Sequence, residues 1–278
     1  MDIEIRQGLA EARALAGAHW RALLTYTAIG VLLPFLLLAS EPIFSLRTIM
    51  AIVSDPWTYR VGGSITGPLY LLGIVAVIVA GAMLAAWNAL FTEFREGVIS
   101  ELMYGMVAGV AYLLANILLY AMIVFVSVLP LILLGGVAAL SAGRESDGVL
   151  LEGYRFLLSL AGSWIGARLC LAGAIMGAAG KLEPVSAFIE SWRRTRTAQW
   201  RLFGFYFLYG IVFAIPIVGL AMAHGAIIMT SAPGGWLETL MSLGWILLFA
   251  LYFLGQILIP AGLYRASRPA AAAAEVFA

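Results

Sequence analysis

The chain has 278 residues, 63% hydrophobic and only 11% charged, with a formal net charge of +1. Soluble domains carry roughly 45–50% apolar and 25% charged residues, so the composition excludes a soluble fold and predicts a polytopic membrane protein. Near-neutrality offers no general attraction to polyanions and argues against nucleic acid as a partner; the single cysteine, Cys170, leaves no internal disulfide and no cysteine-based zinc site.

Residues 2–21 carry charges at helical spacing, with Ile5, Leu9, Ala12 and Ala16 on one side, which predicts a short helix on the cytosolic leaflet. Arg6, Arg13 and Arg21 precede the apolar run 22–39 in the manner of a signal peptide. That run is long for such a segment and Leu38 to Pro42 is a poor cleavage site, so an uncleaved first span is expected, kinked at Pro34. Ile43, Leu46, Met50 and Val53 then recur at helical spacing after Pro42 and predict a second interfacial helix over 42–54.

Further spans are expected at 69–91, 109–140, 154–180, 202–229 and 237–263. The third apolar stretch, 106–140, is about 35 residues long where a bilayer needs roughly 20. A long helix bent at Pro130 is preferred to a re-entrant turn at Gly135-Gly136. The expected fold is therefore all-α: one membrane domain over 1–278, a polytopic bundle of six transmembrane helices with amphipathic interfacial helices. Placing both termini in the cytoplasm puts Arg6, Arg13, Arg21, Arg95, Lys181, Arg193, Arg194, Arg196, Arg201, Arg265 and Arg268 inside. Only Arg47, Arg60, Arg144 and Arg155 are then left outside, a positive-inside asymmetry.

The stretch 162–201 carries the most information. On a helix, Gly162, Gly166, Gly173 and Gly177 fall on one stripe and form two GxxxG spacings, which predicts close helix packing. Arg168 lies on the opposite side of that helix and needs a partner: carbonyls, Asn116, a lipid phosphate or a substrate. The following segment, 183–201, is amphipathic. Val185, Phe188, Ile189 and Trp192 make an apolar stripe, and Trp192, Arg193, Arg194, Arg196, Trp200 and Arg201 make a basic-aromatic face suited to contact with anionic lipid or a partner.

The fifteen acidic residues are expected outside the spans, which disfavours proton- or sodium-coupled transport. No catalytic residue is assigned, since a Ser163–His224 pair would lack a nucleophile elbow and an oxyanion hole. Asn116 and His224 read as intramembrane polar residues bonded within the bundle. No metal site is expected, and the absence of P-loop and G-x-G-x-x-G patterns leaves no cofactor implied.

From Arg168 onward, the chain resembles bacterial six-span proteins related to the membrane domain of glycerophosphoryl diester phosphodiesterases. The residues that carry the resemblance are Ala187, Phe188, Ser191, Trp192, Thr195, Trp200, Arg201 and Gly204. Thr197-Ala198-Gln199 departs from a pattern that often has glycine before the second tryptophan. The catalytic domain's signatures are absent, so the resemblance implies a membrane architecture in the bacterial inner membrane and no hydrolase activity. The expected function is a non-enzymatic membrane protein that engages anionic inner-leaflet lipids, a partner protein or a second copy of itself. The alternatives are a permease or exporter subunit for a lipidic or small amphipathic molecule, and a lipid-modifying enzyme.

Overall fold

The computed structural model describes residues 4–39, 66–92, 97–135, 149–230 and 235–267. Among them the chain is helical and without strands. The elements are α1 (Ile5–Ala18), α2 (Trp20–Ala39), α3 (Thr66–Phe91), α4 (Val98–Gly135), α5 (Val149–Leu169), α6 (Ala172–Ala179), α7 (Pro184–Arg194), α8 (Gln199–Thr230) and α9 (Trp236–Ala266). Six helical stretches are long and apolar enough to cross a membrane, one of them formed by α5 and α6 in succession. The fold is the expected membrane bundle. The interfacial helix expected over 42–54, the Gly135-Gly136 turn beyond Gly135 and the tail after Ser267 lie outside the described residues.

Pro34 has no N–H to offer the carbonyl of Gly30, and its ring crowds that carbonyl. The helix widens to a π turn over Ala28–Leu32 just before it, where an ordinary kink was expected. The amphipathic α1 packs along the C-terminal end of α9. Its buried residues are Gly8, Ala12 and Leu15, and Glu11 Oε2 pairs with Arg265 Nε at 3.2 Å. Leu9, read with Ile5, Ala12 and Ala16 as one side of the helix, is 42% exposed, and the face that meets α9 is instead the one with Gly8, Ala12 and Leu15.

A close backbone approach joins α3 and α4. A Cβ on Gly109 would stand 2.7 Å from the Gly81 nitrogen, and one on Gly105 would stand 2.9 Å from the Ala85 nitrogen. Without a hydrophobic drive between helices in lipid, such contact is what holds two spans together. Near the C-terminal end of α3, Trp87 is a buried knob. Its Nε1–H donates to the Ile257 carbonyl of α9 at 2.9 Å, and the Asn88 side-chain amide donates to the Gly177 carbonyl of α6 at 3.1 Å. Gly173 and Gly177 lie directly on Trp87.

The buried core gathers at this end of the bundle, around Tyr26, Leu84, Trp87, Leu171, Met176 and Ile257. The far halves of α4 and α8 bury little, leaving Ile117, Leu118, Phe125, Val212, Ile215 and Met222 exposed. Lipid chains solvate such surfaces, so the exposure marks where the bilayer meets the protein.

α4 is one uninterrupted helix from Val98 to Gly135, starting earlier than the expected span. Glu101 therefore sits in the first turn of an apolar helix, only 3% exposed, and takes a hydrogen bond from the Tyr26 hydroxyl. Glu238 likewise lies in the first turn of α9. The expectation that all carboxylates avoid the spans is corrected at their ends, where a helix N-terminus favours negative charge. Tyr26→Phe removes one charge-assisted hydrogen bond from the buried Glu101 and should lower stability by about 2 kcal/mol. Thermal unfolding in detergent measures it, and an unchanged midpoint contradicts the assignment.

Candidate functional site

α5 ends at Leu169, and a turn at Cys170 and Leu171 separates it from α6. A helix end leaves carbonyls without intrahelical donors. The Arg168 carbonyl is met instead by the hydroxyls of Ser191, at 2.8 Å, and Thr195, at 3.0 Å. α7 ends at Arg194, so the Trp192 carbonyl belongs to its last turn and is orphaned in the same way.

The Arg168 side chain, 3% exposed, answers both ends. Its Nε–H donates to Thr195 Oγ1 at 3.1 Å, Nη1 donates to Gln199 Oε1 at 2.6 Å, and Nη2 donates to the Trp192 carbonyl. The guanidinium carbon lies 4.0 Å from the centroid of the Trp192 ring and 5.6 Å from that of Trp164, within cation–π range of both. A cation beside two helix C-termini is also favoured by their dipoles. The intramembrane arginine is thus a clamp that holds α7 and the turn to α8 against the end of α5. Asn116 is not its partner: that amide donates to the Tyr112 carbonyl at 2.8 Å.

The clamp determines what the rest of the segment presents. Ala187 and Ser191 are buried, while Trp192 is 39% and Trp200 68% exposed. Arg193, Arg196 and Arg201 are exposed beside them. Arg194 is different. It pairs with Glu190 at 2.5 Å, donates to Ser267 Oγ at 3.2 Å and lies 5.1 Å from the Tyr264 ring centroid. It ties α7 to the end of α9, and the basic face is correspondingly narrower than expected.

The glycine stripe is divided in two. Gly173 and Gly177 pack on Trp87, as described. A Cβ added to Gly162 or Gly166 would meet nothing within 4 Å, which corrects the expectation that these two pack against a helix. They face a cleft between α5 and α8, because the break at Cys170 and Leu171 separates the two halves of the stripe. His224 is buried at 2% exposure, and its Nδ1 accepts the Trp245 Nε1–H at 3.0 Å. Ser163 donates to the Ser159 carbonyl at 2.9 Å. Ser163, His224 and Arg168 are thus directed to different neighbours rather than converging on one centre. Among the described residues, no three His, Cys, Asp or Glu side chains lie together as a metal site would need.

Ser191 and Thr195 enter the sequence reading only as part of a resemblance and Gln199 only as a departure from it, none as a partner of Arg168, and Trp164 does not enter at all. Two spacings could have found them. Ser191, Thr195 and Gln199 recur at i, i+4 and i+8, and Trp164 lies one turn before Arg168. No family model, curated protein or solved structure matches the chain.

Proposed function

We propose that the protein is a non-enzymatic integral protein of the bacterial inner membrane, with both termini cytoplasmic, that engages anionic inner-leaflet lipids through α7 and the turn to α8. The observation that carries this reading is the clamp itself. A buried arginine holds an amphipathic helix so that Trp192, Arg193, Arg196 and Trp200 are exposed together. Tryptophan and arginine side by side suit the headgroup level, where an aromatic ring and a basic group both find favourable surroundings. The bias of arginines toward one set of connecting segments supports the cytoplasmic placement. The resemblance to phosphodiesterase membrane domains enters for architecture alone.

A permease in which Arg168 binds the substrate has less support, since its three nitrogens already have protein acceptors. The lipid-modifying alternative lacks a converged set of reacting groups.

The test is the double variant Arg193→Gln/Arg196→Gln, which spares the structural Arg194. Each basic residue near an anionic surface contributes about 1 kcal/mol, so the pair should cost roughly 30-fold in affinity for phosphatidylglycerol. Affinity for phosphatidylcholine should not change. Lipid titration followed by native mass spectrometry reads both, and equal loss for the two lipids, or none, rejects the proposal.

A further inference from the structure

Between α4, α5, α8 and α9 lies a cleft of about 980 Å³. It follows α4 from Tyr112 to Ser127, roughly 22 Å at 1.5 Å per residue. Two features define what it can hold. No aspartate, glutamate, lysine, arginine or histidine lines it. Its polar groups are neutral: Tyr112, Asn116, Cys170, Tyr206 and Gln256 line one part, and Tyr120, Ser127, Ser159 and Ser163 lie further along. The remaining wall is apolar and includes Ile123, Val124, Leu158, Ile211 and Ala214.

The wall is open because Gly162, Gly166 and Gly210 carry no side chain into it, and a Cβ at any of the three meets nothing. The Tyr206 hydroxyl provides a second, independent observation. It is buried without an oxygen or nitrogen partner among the described residues, and the sulfur of Cys170 is the neighbour beside it. A thiol sulfur is a weak acceptor, so a ligand oxygen there gives the hydroxyl a better partner. Access is lateral, since the flanking faces of α4 and α8 are the lipid-exposed ones.

We infer that this cleft is a binding site for one long-chain lipid with an uncharged, hydroxylated head, of the diacylglycerol class. The chain lies along the apolar wall and the head reaches Tyr206, Asn116 and Gln256. A phospholipid is disfavoured because its phosphate would be taken from water with no cation to meet it. The site is separate from the basic face of α7, and the inference does not depend on the function proposed for that face.

The experiment uses the full chain in nanodiscs with a diacylglycerol carrying a diazirine in one acyl chain, and the matching phosphatidylglycerol as comparison. Photolabelling by the diacylglycerol probe should map to peptides of α4, α5 and α8. It should fall at least tenfold in Gly162→Leu/Gly166→Leu with the unfolding temperature retained. If that pair does not fold, Ala214→Phe fills the same space from the facing helix and reads the same result. Labelling that survives the filled cleft, or that is as strong with phosphatidylglycerol, overturns the inference and leaves only annular lipid. A native mass of two chains that reverts to one in the filled variant also overturns it, with a second copy as the occupant.

Discussion

Replacing Arg168 by methionine should lower the unfolding midpoint of the protein by about 10 °C in mild detergent. That shift corresponds to roughly 3 kcal/mol at 2–4 °C per kcal/mol for a chain of this size. Hydrogen bonds to a charged group are worth about 1.5–3 kcal/mol each, and three sharing one guanidinium do not add fully. The loss has two parts. The Trp192 carbonyl and Gln199 Oε1 lose their donors, and Trp192 loses the cation stacked on its ring. Methionine fills similar space, so the change reports the lost polar contacts more than a cavity. Arg168→Lys should recover less than half, because an ammonium cannot reach Thr195, Gln199 and Trp192 in one plane. Amide hydrogen exchange over 184–199 distinguishes a clamp from a general packing residue. Protection there should collapse in both variants while α3 and the first half of α4 keep theirs. A midpoint and protection pattern like those of the unsubstituted protein would refute the assignment.

The six spans were legible in the sequence because a bilayer demands long apolar runs and little else satisfies the backbone within it. Their ends were less legible. Hydropathy alone placed the third span after Tyr104, since Glu101 looks like a connecting-segment residue; the hydrogen bond from Tyr26 helps make a buried carboxylate tolerable there. The need of Arg168 for a partner was equally plain, because a charge in an apolar helix cannot be left unpaired. Its partners were not, as they come from a helix end and a turn whose approach depends on the break at Cys170 and Leu171. The same break explains the misreading of the glycines. A helical projection assumes one continuous helix and puts Gly162 through Gly177 on one stripe, whereas the chain turns between them. Gly105 and Gly109, which also bring backbones together, stand at GxxxG spacing in the sequence. The surrounding run is apolar on every side, so no amphipathic contrast marks that face in the sequence.

Substitution along this divided stripe should give opposite outcomes from the same chemistry. Gly177→Leu places a Cβ against Trp87 and the backbone nitrogen of Asn88, which would stand 2.9 Å away. The main chain of α3 cannot retreat there, because Asn88 is bonded to the Gly177 carbonyl and Trp87 to Ile257. Overpacking a well-filled site costs about 1–3 kcal/mol, and more when backbone must shift. Here both ends of the contact are tied, so Gly177→Leu should cost upward of about 4 kcal/mol and leave little folded protein. Gly173→Leu meets the Trp87 ring, its nearest atoms belonging to a buried side chain that has no other place to go; it should fare nearly as badly. Gly166→Ala, two turns earlier, meets nothing. It should leave stability unchanged or raise it by up to about 1 kcal/mol, since alanine restricts the unfolded chain and favours helix. Fluorescence-detected size-exclusion chromatography of the four variants, Gly162→Ala included, gives the folded yield of each. Tolerance of Gly177→Leu would mean that α3 and α6 do not meet at Trp87. Loss of Gly166→Ala would mean that the cleft beside α5 is filled by protein.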